Sequence, residues 1–137
     1  MMKRTIKTVA AAGLMLALLL ALTGCSQDSD VKYCVISPQM IVQENDLKNA
    51  EQADSFTAGQ ALYANVEYKA SSEDKDYKLI WYQDGNTIST QTLTAKSGSA
   101  NILVYSLPAA RVTSGSWKIQ IRSTNDKVIY SKDFTVQ

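Results

Sequence analysis

From residue 31 onward, apolar and polar side chains alternate in short runs with a period of two, the period of half-buried strands. The clearest run comes late: Trp117, Ile119 and Ile121 alternate with Lys118, Gln120 and Arg122. Leu62, Ala64, Val66 and Tyr68 define one face of an earlier strand and leave Tyr63, Asn65 and Glu67 on the other. Further strands are expected over 33–36, 77–83, 87–94, 101–107 and 128–136. The run 40–42 continues the first strand past Ser37-Pro38, where a proline suits an edge that changes sheets. Asp84-Gly85-Asn86 reads as a hairpin turn, because glycine accepts positive φ without a steric penalty. The stretch 44–54 is polar, with Leu47, Ala50 and Ala53 three apart. It is either one or two helical turns or a loop crossing the end of the domain. Turn signals recur at intervals of roughly ten residues, which is the rhythm of a β-sandwich. The expected fold is therefore all-β, an antiparallel sandwich of seven or eight strands.

One strand breaks the inside–outside rule. Tyr77, Leu79 and Trp81 share one face, but Lys78, Ile80 and Tyr82 share the face that should be polar. Tyr63 on the preceding strand adds to that side in this reading. Apolar and aromatic groups gathered on an outer face mark binding surfaces. The plainer alternative is a central strand covered by 44–54. Lys78, Ile80, Tyr82 and Tyr63 are thus the candidate binding residues.

The sequence offers little for catalysis. There is no histidine, which removes the commonest general base and the commonest metal ligand. Glu73, Asp74 and Asp76 crowd one turn, whereas hydrolysis by paired acids needs two carboxyls facing each other across a cleft. Asp74 and Asp76 form a weak calcium candidate, supplying two ligands without the glycine-centred loop of a calcium hand. Lys96-Ser97-Gly98 lacks the upstream glycine of a phosphate loop and reads as a turn. No cofactor and no resident metal are expected, and the chain is not expected to be an enzyme.

The N-terminus says where such a domain would reside. Lys3, Arg4 and Lys7 precede a run, 9–22, that is apolar except for Gly13. Fourteen residues fall short of the roughly 20 needed to span a bilayer, so the segment reads as a secretory signal. Leu22-Thr23-Gly24-Cys25 closes it and resembles the lipobox of bacterial lipoproteins. That resemblance implies a lipid on Cys25, a signal peptide over 1–24, a short tether over 25–30 and a folded domain over 31–137. It also implies attachment to the cell membrane or outer membrane on the extracytoplasmic face. Five extended tether residues reach only about 17 Å, which keeps the domain near the lipid. Removing the first 24 of 137 residues leaves 113, with 11 basic and 13 acidic side chains. A net charge of −2 argues against a nucleic-acid partner, which needs a basic surface. Lipidation would consume one of the two cysteines. Cys34 would then be either a buried residue of the first strand or a thiol that pairs between chains.

The strand spacing, Trp81 on the third strand, and the ending Gly115-Ser116-Trp117-Lys118-Ile119 with Phe134-Thr135-Val136 resemble immunoglobulin-like and fibronectin-like domains. The cysteine pair of antibody domains is absent. Such folds host many functions. The expectation is a lipid-anchored, non-catalytic interaction module with an envelope protein or glycan as partner. The alternatives are an accessory subunit of an envelope assembly machine or, least favoured, a carboxylate-dependent hydrolase. Replacing Cys25→Ala is expected to abolish incorporation of labelled fatty acid and to release the protein from the membrane fraction; undiminished labelling would refute the lipidation assignment.

Overall fold

Strict alternation of Trp117, Ile119 and Ile121 with polar neighbours can be satisfied only if one face of that strand meets another apolar layer. A computed structural model, which describes residues 29–98 and 101–137, provides that layer. The signal and Cys25 lie outside the described residues. The elements are β1 (Val31–Ser37), α1 (Glu44–Asn49), β2 (Ser55–Phe56), β3 (Leu62–Tyr68), β4 (Lys75–Gln83), β5 (Asn86–Ala95), β6 (Asn101–Leu107), β7 (Gly115–Arg122) and β8 (Val128–Val136). A 3-10 turn, Ala109–Arg111, links β6 to β7. Two sheets form, a three-stranded one ordered β1-β3-β6 and a five-stranded one ordered β2-β8-β7-β4-β5. The chain passes repeatedly from one sheet to the other, as in an immunoglobulin-like sandwich.

The core lies between the sheets and is unusually aromatic. Phe134 packs edge-on to Phe56 and Trp81, with ring centroids 5.6 and 6.3 Å apart, and stacks at 6.0 Å on Trp117. Towards the other end, Tyr68 of β3 stacks on Tyr77 of β4 at 3.9 Å with the rings 8° apart. This pair joins the two sheets. Burial of three hydroxyls there is tolerated because each finds a partner. Tyr68 and Tyr105 share a 2.9 Å hydrogen bond, Tyr105 lies 3.3 Å from the Tyr77 carbonyl, and the Tyr77 hydroxyl donates to Asp30 at 2.9 Å.

The hairpin between β4 and β5 is a two-residue turn with both residues left-handed, Asp84 at φ 49° and Gly85 at φ 87°. That is the turn whose twist suits a hairpin. Asp84 also ties the turn to β7: its carboxylate accepts the Ser116 N–H at 3.0 Å, and its own N–H donates to the Ser116 carbonyl at 2.7 Å.

Three local expectations change. First, the stretch 40–42 does not continue β1. Pro38 has no N–H to give a ladder, and the Asn65 side chain takes the backbone of this segment instead. It accepts from the Ile41 N–H at 2.9 Å and donates to the Gln39 and Val35 carbonyls, each at 3.2 Å. Met40 and Val42 are left exposed. Second, 44–54 begins as the helix α1 and then runs along the free edge of β1. There Gln52 receives the Ile36 N–H at 2.9 Å and donates to its carbonyl at 3.3 Å, as a neighbouring strand would. Third, β2 pairs with β8 in parallel, so the sandwich is not purely antiparallel. Phe134→Ala should lower unfolding stability by about 3–5 kcal/mol in urea titrations, because this ring has aromatic neighbours on both sides. A cost below about 1 kcal/mol would mean that the ring does not organise the core.

Candidate functional site

The outward face of the five-stranded sheet carries Lys78, Ile80 and Tyr82 from β4. Lys118, Gln120 and Arg122 from β7 stand opposite Tyr82, Ile80 and Lys78 respectively in register. A polar network runs across it. The Arg122 guanidinium donates twice to Gln120 Oε1, at 3.1 and 2.9 Å, and the Tyr82 hydroxyl donates to the same oxygen at 3.3 Å. Asp126 lies 3.2 Å from Arg122 and 3.6 Å from Lys78. These charges are largely exposed, so the ion pairs organise the face more than they stabilise the fold.

This arrangement revises the apolar patch. Ile80 is only 7 % exposed, so it is part of the packing rather than of the surface. It sits between Thr90 and Gln120 in register, and long side chains of its own sheet shield such a position. The segment 44–54 does not cover it: Gln52 follows β1 in the other sheet, and Asp54 joins the β8 edge of this one. Tyr63 does not join the patch either. It belongs to β3 of the three-stranded sheet, and its strand turns Leu62 and Ala64 into the core, so Tyr63 faces outward on the opposite side of the sandwich.

Tyr82 faces outward, in new company. A groove of about 670 Å³ runs along the outer face at the hairpin end of the sheet. It is lined by Tyr82, Asp84, Lys118, Gln120, Asp133 and Thr135, among others. The β7–β8 register sets Lys118 beside Asp133 and Ser116 beside Thr135. The groove therefore offers one half-buried aromatic ring, an amide, carboxylates and one lysine. Nothing in it pairs a nucleophile with a base. Sequence alternation placed Lys118 and Gln120 outward, but only the register brings them next to Tyr82.

The acidic turn lies at the other end. Asp74 accepts the Ser97 N–H at 2.8 Å and sits 3.6 Å from the Lys96 ammonium. That N–H first, and Lys96 less strongly, hold its carboxyl below the usual value. Asp76 accepts a hydrogen bond from the Thr94 hydroxyl. The two carboxylates thus serve the β4–β5 end of the sheet. Among the described residues no group of three or more acidic, cysteine or histidine side chains is placed to hold a metal ion.

Cys34 of β1 is partly buried, packed against the core. Burial pushes its thiol up to about 12, against the opposing effects of a hydrogen bond with Tyr130 and the charge of Lys132. It is a free cysteine. The thiol should react slowly with a disulfide reagent near neutral pH while the protein is folded and readily in denaturant; equally fast reaction in both states would contradict this burial.

No known family profile matches the chain, and no curated protein resembles it significantly. Solved structures do. The C-terminal domain of wzt is 14 % identical with a TM-score of 0.49, the match covering 80 % of this chain and 75 % of that one. The CARDB domain of PF1109 from Pyrococcus furiosus, solved in complex with di-metal ions, is 12 % identical with a TM-score of 0.43, covering 77 % and 90 %. The solution structure of the same domain gives 14 % and 0.43, covering 78 % and 94 %. The class defined by this chain's own strand order is an all-β, immunoglobulin-like sandwich.

Proposed function

We propose that this chain is a lipid-anchored, extracytoplasmic, non-catalytic binding module whose ligand lies in the groove over β4, β7 and β8. The observation that carries the reading is the groove itself. It brings an aromatic ring, an amide, a lysine and carboxylates onto one concavity at the hairpin end of the sheet. Aromatic faces with flanking planar polar groups suit a polyhydroxylated chain, which presents C–H faces to the ring and hydroxyls to the amide and carboxylates. The ligand favoured is therefore an envelope glycan. The lipid anchor at Cys25 rests on the sequence motif.

Strand direction supports the assignment of ends. Asp30 lies beside Lys69 at the far end of β3, where its carbonyl accepts the Lys69 N–H at 2.9 Å. The groove lies at the other end of the sandwich, beside the Asp84-Gly85 turn. A domain hung from Cys25 would thus carry its groove away from the lipid.

Tyr82→Ala combined with Gln120→Ala should lower co-sedimentation with isolated cell-wall polysaccharide by about tenfold or more, roughly 1.4 kcal/mol of binding, while the near-ultraviolet circular dichroism of the aromatic core stays unchanged. Undiminished binding by a folded double variant would remove the groove from consideration. Ile80 is left out of the test because it is buried, and its loss would be read as instability.

A further inference from the structure

The outer face of the three-stranded sheet buries two polar side chains of β3, Asn65 and Glu67. Asn65 is fully hydrogen-bonded to the segment passing over it, as described above. Glu67 is not. Its side chain is 2 % exposed, its Oε1 receives no hydrogen bond from any donor, and its Oε2 lies 3.8 Å from the Lys32 ammonium. Lys32 is itself committed to Glu44 of α1, at 3.2 Å. A carboxylate withdrawn from water, with one oxygen unpartnered and the other facing only a shared ammonium, is costly, so the neutral acid is the form that fits this place.

We propose that Lys32, Glu44 and Glu67 form a proton-dependent latch that holds the strap 38–49 on the outer face of the three-stranded sheet. Glu67 keeps one proton and shares it with Glu44 by a carboxyl–carboxylate hydrogen bond, while Lys32 balances the remaining charge. β1 brings Lys32 and Tyr33, its register partner, whose ring lies 5.8 Å from the Lys32 ammonium. α1 brings Glu44, which also feels Lys48. β6 brings Ile102, which carries no charge. Leu47 of the strap and Val35 of β1 are both buried. Leu47 would meet water if the strap lifted.

The two acids titrate in opposite directions. Desolvation first, and the hydrogen bond to Glu44 second, raise Glu67 above its ordinary value of 4.5. Its contribution to closure is present at low pH and is lost as pH rises through the folded value. The hydrogen bond from Lys32 first, and that from Glu67 second, lower Glu44. Its contribution is present above the ordinary carboxylate value and is lost as pH falls through the folded one. Closure should therefore be tightest between the two steps and loosen on both sides.

Amide hydrogen exchange on the full chain, corrected for intrinsic rates, tests this. Protection of the Ile41 and Leu47 amides should pass through a maximum between the two titrations, Glu44 below and Glu67 above the ordinary 4.5, and fall on the alkaline side by up to about tenfold for each pH unit. The Ile119 and Ile121 amides of β7 should stay flat over the same range. Glu67→Gln, which keeps the shape and a neutral donor, should abolish the alkaline fall; Glu44→Gln should abolish the acid one. Strap protection that follows the β7 amides at every pH would overturn the latch, as would an alkaline fall that survives Glu67→Gln.

Discussion

This fold depends on holding two sheets face to face; the Tyr68–Tyr77 stack crosses between them, and the phenylalanine and tryptophan rings line the inner face of the five-stranded sheet. Phe134 sits among Phe56, Trp81 and Trp117, while Tyr68 and Tyr77 stack across the interlayer space nearer the N-terminal end. Large rings bury much area for little lost side-chain freedom, which matters in a domain without a disulfide among its described residues. They also carry hydroxyls, and the Tyr68–Tyr105–Tyr77–Asp30 chain of hydrogen bonds satisfies those within the same layer. With the inner faces fixed in this way, the outer faces are free to differ.

They differ in kind. The five-stranded sheet faces outward with a polar network around Gln120 and leaves a concavity beside Tyr82. The three-stranded sheet is instead roofed by a strap from its own chain, tied by Asn65 and by the Lys32–Glu44 ion pair, and Gln52 pairs along the strand edge beyond it. Outer positions of the narrower sheet are thus interior positions of a second, smaller layer. This explains how β3 comes to be buried on nearly every residue although only one of its faces meets the main core.

Much of the architecture could be read from the sequence. The period of two in β3 and β7 identified the inward residues, and Asp84-Gly85 identified the hairpin. What escaped was information that no strand carries by itself. β3 and β4 are consecutive but belong to different sheets, so the period that turned Tyr63 and Tyr82 outward could not reveal that they face opposite directions. Ser55 and Phe56 are too few to show any period. Glu67 alternates like an exposed residue, and its burial arises only from the tertiary surroundings of β3. Of the groove, Tyr82 was legible as an outward aromatic. Lys118 and Gln120 were legible as outward polar groups, but their convergence on Tyr82 depends on a cross-strand register set by tertiary pairing.

With a lipid on Cys25, the polarity of the strands would turn the sandwich into a spacer. β4 runs nine residues from the end beside Asp30 to the hairpin that borders the groove. At about 3.3 Å per residue that is roughly 30 Å of nearly inextensible backbone. For a chain suspended from Cys25, the standoff between lipid and bound ligand would be written into strand length. Changes in the groove would alter what is held, but only changes in the tether or in the strands would alter the height at which it is held.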